Sequence, residues 1–184
     1  MLTVSTLYTQ MDETLFKKLA DVRLLVCDVD GVFSDGRIYL GNDGEELKAF
    51  HTRDGYGVKA LAKQGISVAV ITGRRSHIVH DRMQALNVAH IIQGEENKSQ
   101  ALAALCNTFS LSPEQIAAMG DDMPDTGMFQ HAGVKIAVRD AHPQVRQQAN
   151  WITSLAGGMG AVREVCDTLL QAQGKLDGIL GASV

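Results

Sequence analysis

The sequence predicts an α/β fold in three layers, with helices on both faces of a central parallel sheet. Three observations predict it: short apolar runs ending on polar residues recur along the chain, segments of helical period lie between most of them, and no linker or low-complexity tract divides the 184 residues. With 45% hydrophobic and 21% charged residues the chain can fill and cover one core, so residues 1–184 are expected to form a single domain.

The elements follow in order. Residues 12–20 read as a short helix. Residues 22–27, apolar except for Arg23 and ending at Asp28, read as a strand buried on both faces. The same kind of run recurs at 66–71, 90–92, 116–119 and 134–138, and helical patterns are expected at 58–63, 77–86, 99–109 and 123–131. Residues 37–50 break the rhythm: they alternate around Gly41-Asn42-Asp43-Gly44 and predict a β-hairpin. Its position directly after the first strand's acidic loop predicts a flap over the site. Ala156-Gly157-Gly158-Met159-Gly160 reads as a flexible joint before a helix at 161–173 and a short tail, the C-terminal unit of residues 160–184.

The formal net charge of -4 supplies no basic face to replace the counterions of a polynucleotide, so nucleic acid is excluded as a partner. Cys27, Cys106 and Cys166 are odd in number and form no CxxC pair, which predicts neither a disulfide framework nor a zinc knuckle and fits a reducing compartment. Asp12 and Glu13 interrupt what an export signal would need as an apolar stretch, and no apolar run reaches the roughly 18 residues of a membrane span. A cytoplasmic protein without membrane association is expected.

In open parallel sheets ligands bind beyond the carboxyl ends of the strands, and the unusual polar residues of this chain collect there. Asp28 and Asp30 follow the first strand, Thr72-Gly73-Arg74 the second and Gly120-Asp121-Asp122 the fourth, while Lys98 opens a helix. Either aspartate of Asp28-Val29-Asp30-Gly31 could be a turn former or a cap. Carboxylates clustered from two strand ends repel one another unless a cation neutralises them, and oxygen-only ligands match Mg²⁺ better than zinc. A phosphoryl group held there would be balanced by Lys98, with Thr72 and the backbone N–H groups around Val29 and Gly73 as donors. In a covalent route Asp28 is the candidate nucleophile and Asp30 the acid and base.

The order DxDG, ITGR, a lysine in QGEENKSQAL and GDDMPD resembles the four motifs of the haloacid dehalogenase superfamily over residues 28–125. DVDGVFSDGRIYLGNDGEELKAFHTRDGYGVKAL, the AHP after the fifth strand and GGMGAVREVCDTLLQAQGKLD extend the resemblance, over almost the whole chain, to the 3-deoxy-D-manno-octulosonate 8-phosphate phosphatases. That resemblance implies a Rossmann-like, capless αβα fold with a hairpin flap, a homotetramer with flaps packed together, and Mg²⁺-dependent hydrolysis of an acidic eight-carbon sugar phosphate on the way to lipopolysaccharide. It makes Asp28 nucleophile and metal ligand, Asp30 acid/base and ligand through its carbonyl, and Asp121 the third protein ligand; Thr72 and Lys98 hold the phosphoryl group. It sets the substrate against Asp30, Thr72, Gly73 and Lys98, and its sugar against His51, Thr52, Arg53, Asp54, Gly55, Lys59, Arg74 and Arg82, several of them from a neighbouring subunit. The arginines have physical support, since a substrate carboxylate far from the phosphate needs a cation of its own and arginine offers a planar fork. The chain departs from the family pattern at Met159, where an arginine is usual, and at residues 123–126, usually more apolar.

Other residues read as structural. His77 and His80 are three apart on a predicted helix but lack a third ligand, and read as surface positions. Cys27 should point to the face of the strand opposite Asp28, as a small buried hydrophobe, and Trp151 into the core. Asp125 is either a local cap or a partner of Lys98. Among rival functions, a phosphoacceptor receiver domain is disfavoured by Asp30, which promotes turnover. A non-catalytic tetramerising module is disfavoured by the complete motifs. A sister phosphatase for a nine-carbon acidic sugar phosphate is the enzymatic alternative, because one extra carbon in an open pocket changes binding little.

Overall fold

A computed structural model describes residues 2–179, so the last five residues of the expected tail lie outside the described residues. A small antiparallel pair, β1 (Thr3–Ser5) and β2 (Gln10–Asp12), leads into α1 (Glu13–Leu19), whose first turn is capped by the Asp12 carboxylate accepting from the Leu15 N–H. The sheet strands are β3 (Leu24–Cys27), β6 (Ser67–Thr72), β7 (His90–Gln93), β8 (Ile116–Gly120), β9 (Val134–Ala137) and β10 (Trp151–Ile152); between β3 and β6 lie the hairpin strands β4 (Tyr39–Leu40) and β5 (Glu46–Leu47). The helices are α2 (Thr52–Lys63), α3 (His77–Ala85), α4 (Lys98–Phe109), α5 (Thr126–Phe129), α6 (Pro143–Gln148) and α7 (Ala161–Ala172).

The six-stranded sheet runs β10-β9-β8-β3-β6-β7, all parallel. β3, β6 and β7 progress outward on one side and β8, β9 and β10 on the other, so the order reverses between β3 and β8 and opens a crevice beyond their carboxyl ends. Helix α2 packs on α7, which also meets α1, while α4, α5 and α6 form the second helical layer. β3 and β6 are buried along nearly their whole length, as strands covered on both faces must be. Cys27 is fully buried and Trp151 nearly so, as expected.

Several elements differ from expectation. Helix α2 begins at Thr52, not at 58, because Gly55 and Gly57 depress the local helix signal; a Cβ on Gly57 would stand 2.9 Å from the Cys166 Cβ of α7, so close helix packing requires a residue of poor intrinsic propensity. The β1–β2 pair, α6 and β10 are too short to announce themselves. The helix expected at 123–131 is a 3₁₀ turn, Met123–Asp125, followed by one turn of α5, since Pro124 and the Asp125 carboxylate shape the entry. The hairpin pairs over only two residues a strand, Tyr39 with Leu47 and Leu40 with Glu46.

The glycine-rich stretch at 156–160 is no loose joint. The Gly158 N–H donates to the Val32 carbonyl at 2.9 Å, the Gly157 N–H to Asp140 at 2.9 Å, and a Cβ on Gly157 would collide with the Gly31 carbonyl oxygen. These glycines let the approach to α7 lie directly against the loop that follows Asp28.

Candidate active site

Register brings the site together. Cys27 pairs with Met119 and with Val70, and the Asp28 N–H continues the ladder by donating to the Met119 carbonyl at 3.0 Å. Asp28 therefore emerges beside Gly120-Asp121, and Thr72 ends the neighbouring strand. Gly31, at φ +85°, could carry no side chain, because a Cβ there would strike the Asp121 carboxylate. The resulting cavity, about 560 Å³, is lined by Asp28, Asp30, Gly36, Thr72, Gly73, Arg74, Glu95, Glu96, Lys98, Asp121, Asp122, Pro124 and Asp125.

At its floor stands Lys98, buried on the first residue of α4, its ammonium 2.7 Å from Asp28 Oδ1 and 2.6 Å from Asp125 Oδ1. Asp125 is fully engaged: its other oxygen accepts the N–H of Asp121 at 2.8 Å and of Asp122 at 3.1 Å. It is thus both cap and partner of Lys98.

Asp28, Asp121 and Asp125 each offer an oxygen within 4.8 Å of the others. Burial, then the Asp125 charge, push Asp28 up to about 7 against the pull of Lys98, and the Val29 N–H donates to its carboxylate. Burial, Asp125 and Asp28 push Asp121 up to about 8. Burial acts to lower the Lys98 ammonium's proton affinity, yet the two carboxylates hold it above its ordinary value. Three carboxylates around one ammonium leave two negative charges unbalanced, the deficit a divalent cation offsets. The all-oxygen donor set fits Mg²⁺, with Asp28 and Asp121 facing the cavity to receive it.

Of the residues expected at the site, Asp28, Asp30, Thr72, Gly73, Arg74, Lys98 and Asp121 line this cavity. The remaining sugar-contact positions do not enter it within one chain. The His51 ring caps α2 by accepting from the Arg53 N–H at 3.1 Å, and Thr52 and Arg53 are exposed on its first turn. Asp54 and Gly55 are buried between α2 and α7, where an Asp54 oxygen accepts the Arg163 N–H at 2.9 Å; burial pushes that carboxyl up to about 7, and Arg163 and Arg82 pull against it. Lys59 lines a separate groove with Lys63 and Asn87. His77 and His80 are exposed, as expected, and line a shallow cleft with Arg75 and Gln93.

The sequence reading missed Glu46 and Lys48 on the hairpin and Glu95 and Glu96 at the cavity wall. Arg74 donates to Glu46 Oε2 at 2.9 Å and Lys48 to Asp30 Oδ1 at 2.5 Å, so the hairpin is held against two residues that line the cavity. The signal was present as charge at alternate positions, Glu46 and Lys48, on either side of Leu47 in the hairpin's return arm.

Residues 84–163 match the haloacid dehalogenase-like hydrolase family. The chain is 47% identical over 181 residues to the 3-deoxy-D-manno-octulosonate 8-phosphate phosphatase KdsC of Yersinia pestis, covering 98% of this chain and 97% of that protein. The crystal structure of the phosphatase of that name from Yersinia pestis superposes with a TM-score of 0.94, at 47% identity and 96% coverage of both chains. The Moraxella catarrhalis 3-deoxy-D-manno-octulosonate 8-phosphate phosphatase, solved with a magnesium ion, a phosphate ion and a KDO molecule, superposes with a TM-score of 0.89 at 39% identity, over 92% of this chain and 98% of that one.

Proposed function

The chain belongs to the 3-deoxy-D-manno-octulosonate 8-phosphate phosphatases of the haloacid dehalogenase-like hydrolases, and we propose that it hydrolyses that sugar phosphate to 3-deoxy-D-manno-octulosonate and inorganic phosphate with Mg²⁺ as cofactor. The observation that carries the mechanism is the meeting of Asp28, Asp121, Lys98 and Thr72, from four separated segments, at the one crevice where the strand order reverses.

Asp28, Asp121 and the Asp30 carbonyl would hold Mg²⁺, which would supply charge neutralisation for the phosphoryl oxygens. Lys98 and Thr72 hold the phosphoryl group, the lysine balancing the charge that spreads over its oxygens. A carboxylate oxygen of Asp28 attacks phosphorus in line, the bond to the sugar oxygen breaks, and Asp30 gives that oxygen its proton. Asp30 then takes a proton from the water that attacks the aspartyl-phosphate, releasing phosphate and restoring both carboxyls. Arg74, which lines the cavity and is partly exposed, meets the sugar carboxylate in this reading.

His51, Thr52, Arg53, Asp54, Gly55, Lys59 and Arg82 serve a neighbouring subunit's pocket or the frame of their own in this reading. The hairpin leaves Ile38, Leu40 and Leu47 exposed, the apolar surface a homotetramer with packed flaps would cover. Residues 1–184 act as one domain. A cytoplasmic location agrees with three free cysteines and with the absence, among the described residues, of any helix long and apolar enough to cross a membrane.

The test is phosphate release from the eight-carbon and nine-carbon acidic sugar phosphates, compared by kcat/KM, with Asp28→Asn as control. Preference for the eight-carbon ester, lost in Asp28→Asn, is expected. Preference for the nine-carbon ester would reassign the substrate, and turnover persisting in Asp28→Asn would refute the covalent route.

A further inference from the structure

Glu46 and Lys48 lie two residues apart in the return arm of the hairpin, so alternation puts them on one face and Leu47 on the other. Exposure agrees: Leu47 is 58% exposed, whereas the Lys48 side chain is 1% exposed. The buried face turns to the cavity. Lys48 Nζ donates to Asp30 Oδ1 at 2.5 Å and stands 3.2 Å from Glu46 Oε1; Glu46 Oε2 accepts from Arg74 Nη2 at 2.9 Å; and Arg74 Nε lies 4.0 Å from Asp30 Oδ2. The four residues close a ring of alternating charge that joins the flap to both the acid/base carboxylate and the arginine at the mouth.

An ammonium so withdrawn from water is retained only where carboxylates balance it, which separates Lys48 from an ordinary surface lysine. Asp30 has little else to orient it: the Ser34 hydroxyl stands 3.5 Å from Oδ1, at the outer limit of a hydrogen bond. We propose that Lys48 is a positioning residue for the reaction, carried by the flap, which fixes the Asp30 carboxylate in the orientation from which it exchanges protons with leaving group and water. Glu46 holds Lys48 and Arg74 in mutual register, so that flap closure sets acid/base geometry and the substrate-end arginine together.

This inference rests on the reading of Asp30 as acid and base. Because both half-reactions use that carboxylate, losing Lys48 should depress kcat on any phosphomonoester. A lysine that only kept the flap closed would instead raise KM for the sugar phosphate and spare a small aryl phosphate.

The experiment uses the full chain with Mg²⁺, comparing Lys48→Met and Lys48→Arg on 3-deoxy-D-manno-octulosonate 8-phosphate and on p-nitrophenyl phosphate. Lys48→Met is expected to lower kcat about 30-fold on both, with KM held within about threefold, a part of the roughly 10²–10⁴ that positioned proton transfer contributes. Lys48→Arg, which keeps the charge, should recover most of it. In an Asp30→Asn background Lys48→Met should cost less than about twofold more, since coupled residues do not add. If Lys48→Met fails to fold, Lys48→Gln carries the same comparison. Wild-type kcat in the neutral variant, a loss confined to KM for the sugar phosphate, or full additivity with Asp30→Asn each overturn the inference alone. A wild-type chain releasing phosphate from neither ester overturns the proposed function as well.

Discussion

Lys98 sets its ammonium 2.7 Å from Asp28 Oδ1 while standing on the first residue of α4, the end of a helix where the backbone dipole disfavours a cation. The position is tenable because Asp125 approaches the same ammonium at 2.6 Å and because Asp28 needs a charge partner in a crevice shielded from water. Nucleophile, lysine and Asp125 form one electrostatic unit, from which the first two predictions follow.

Asp125→Ala strips Lys98 of one partner and leaves the N–H groups of Asp121 and Asp122 without theirs. Breaking a buried charged network of this kind costs about 3 kcal/mol, whereas loss of a simple cap costs about 1 kcal/mol. Urea denaturation should show the larger figure, and Asp125→Asn, which keeps one accepting oxygen, should recover about half of it. A loss near the smaller figure would reduce Asp125 to a turn former.

Magnesium binding should strengthen with pH. In the metal-free chain Asp28 is pushed up to about 7 and Asp121 up to about 8, both above their ordinary values. The folded state then binds more protons than the unfolded one between about pH 4 and pH 8, so these groups make the metal-free protein less stable as pH rises through that window. Mg²⁺ requires the deprotonated oxygens and displaces those protons, each costing about tenfold in apparent affinity per pH unit below its titration. Calorimetry at pH 6 and pH 8 should give tighter binding and a larger rise in Tm at the higher value. The same dissociation constant at both would mean that the carboxylates hold no protons to displace.

What the sequence discloses and what it hides follow one physical division. The strands β3, β6, β8 and β9 are legible because burial on both faces demands unbroken apolar runs, and Asp28, Thr72 and Asp121 are legible because they stand at the ends of such runs, with Lys98 at a helix start beside them. The first turns of α2 are hidden because Gly57 answers to Cys166, more than 100 positions away. Lys48 is hidden because its charge acquires meaning only when the hairpin folds back onto Asp30. His51, Asp54 and Arg82 carry no such geometric mark, since within one chain His51 caps α2, Asp54 accepts the Arg163 N–H of α7 and Arg82 lies in the last turn of α3.

Arg74→Ala should discriminate between substrates. In the proposed reading its loss removes the cation that meets the sugar carboxylate, while a small aryl phosphate has no carboxylate to offer. The Arg74 side chain is 45% exposed, so water shares the contact, and the expected penalty is about 1 kcal/mol, roughly fivefold in kcat/KM, not the 2–3 kcal/mol of a dry charge pair. Equal losses on both esters would assign Arg74 to the phosphoryl end or to its ion pair with Glu46.

The hairpin supplies the last prediction. Leu40 and Leu47 are 73% and 58% exposed on a two-residue ladder too short to be stable alone, and Ile38 beside it is exposed as well. Within one chain the hairpin is held by Lys48 and Glu46 and by the Tyr39 hydroxyl donating to Asp35. A short ladder with few anchors of its own and several exposed apolar side chains suits a flap that is covered by copies of itself. If the chain forms the proposed tetramer, Leu40→Glu combined with Leu47→Glu should shift sedimentation towards smaller species without unfolding the αβα core, because neither residue belongs to it. If neighbours complete the pocket, the dissociated variant should keep turnover of a small aryl phosphate and lose most of its preference for the acidic sugar phosphate. A wild-type monomer that is fully selective at micromolar concentration would remove the neighbour from the mechanism and leave Arg74, with the flap that holds it, to supply selectivity alone.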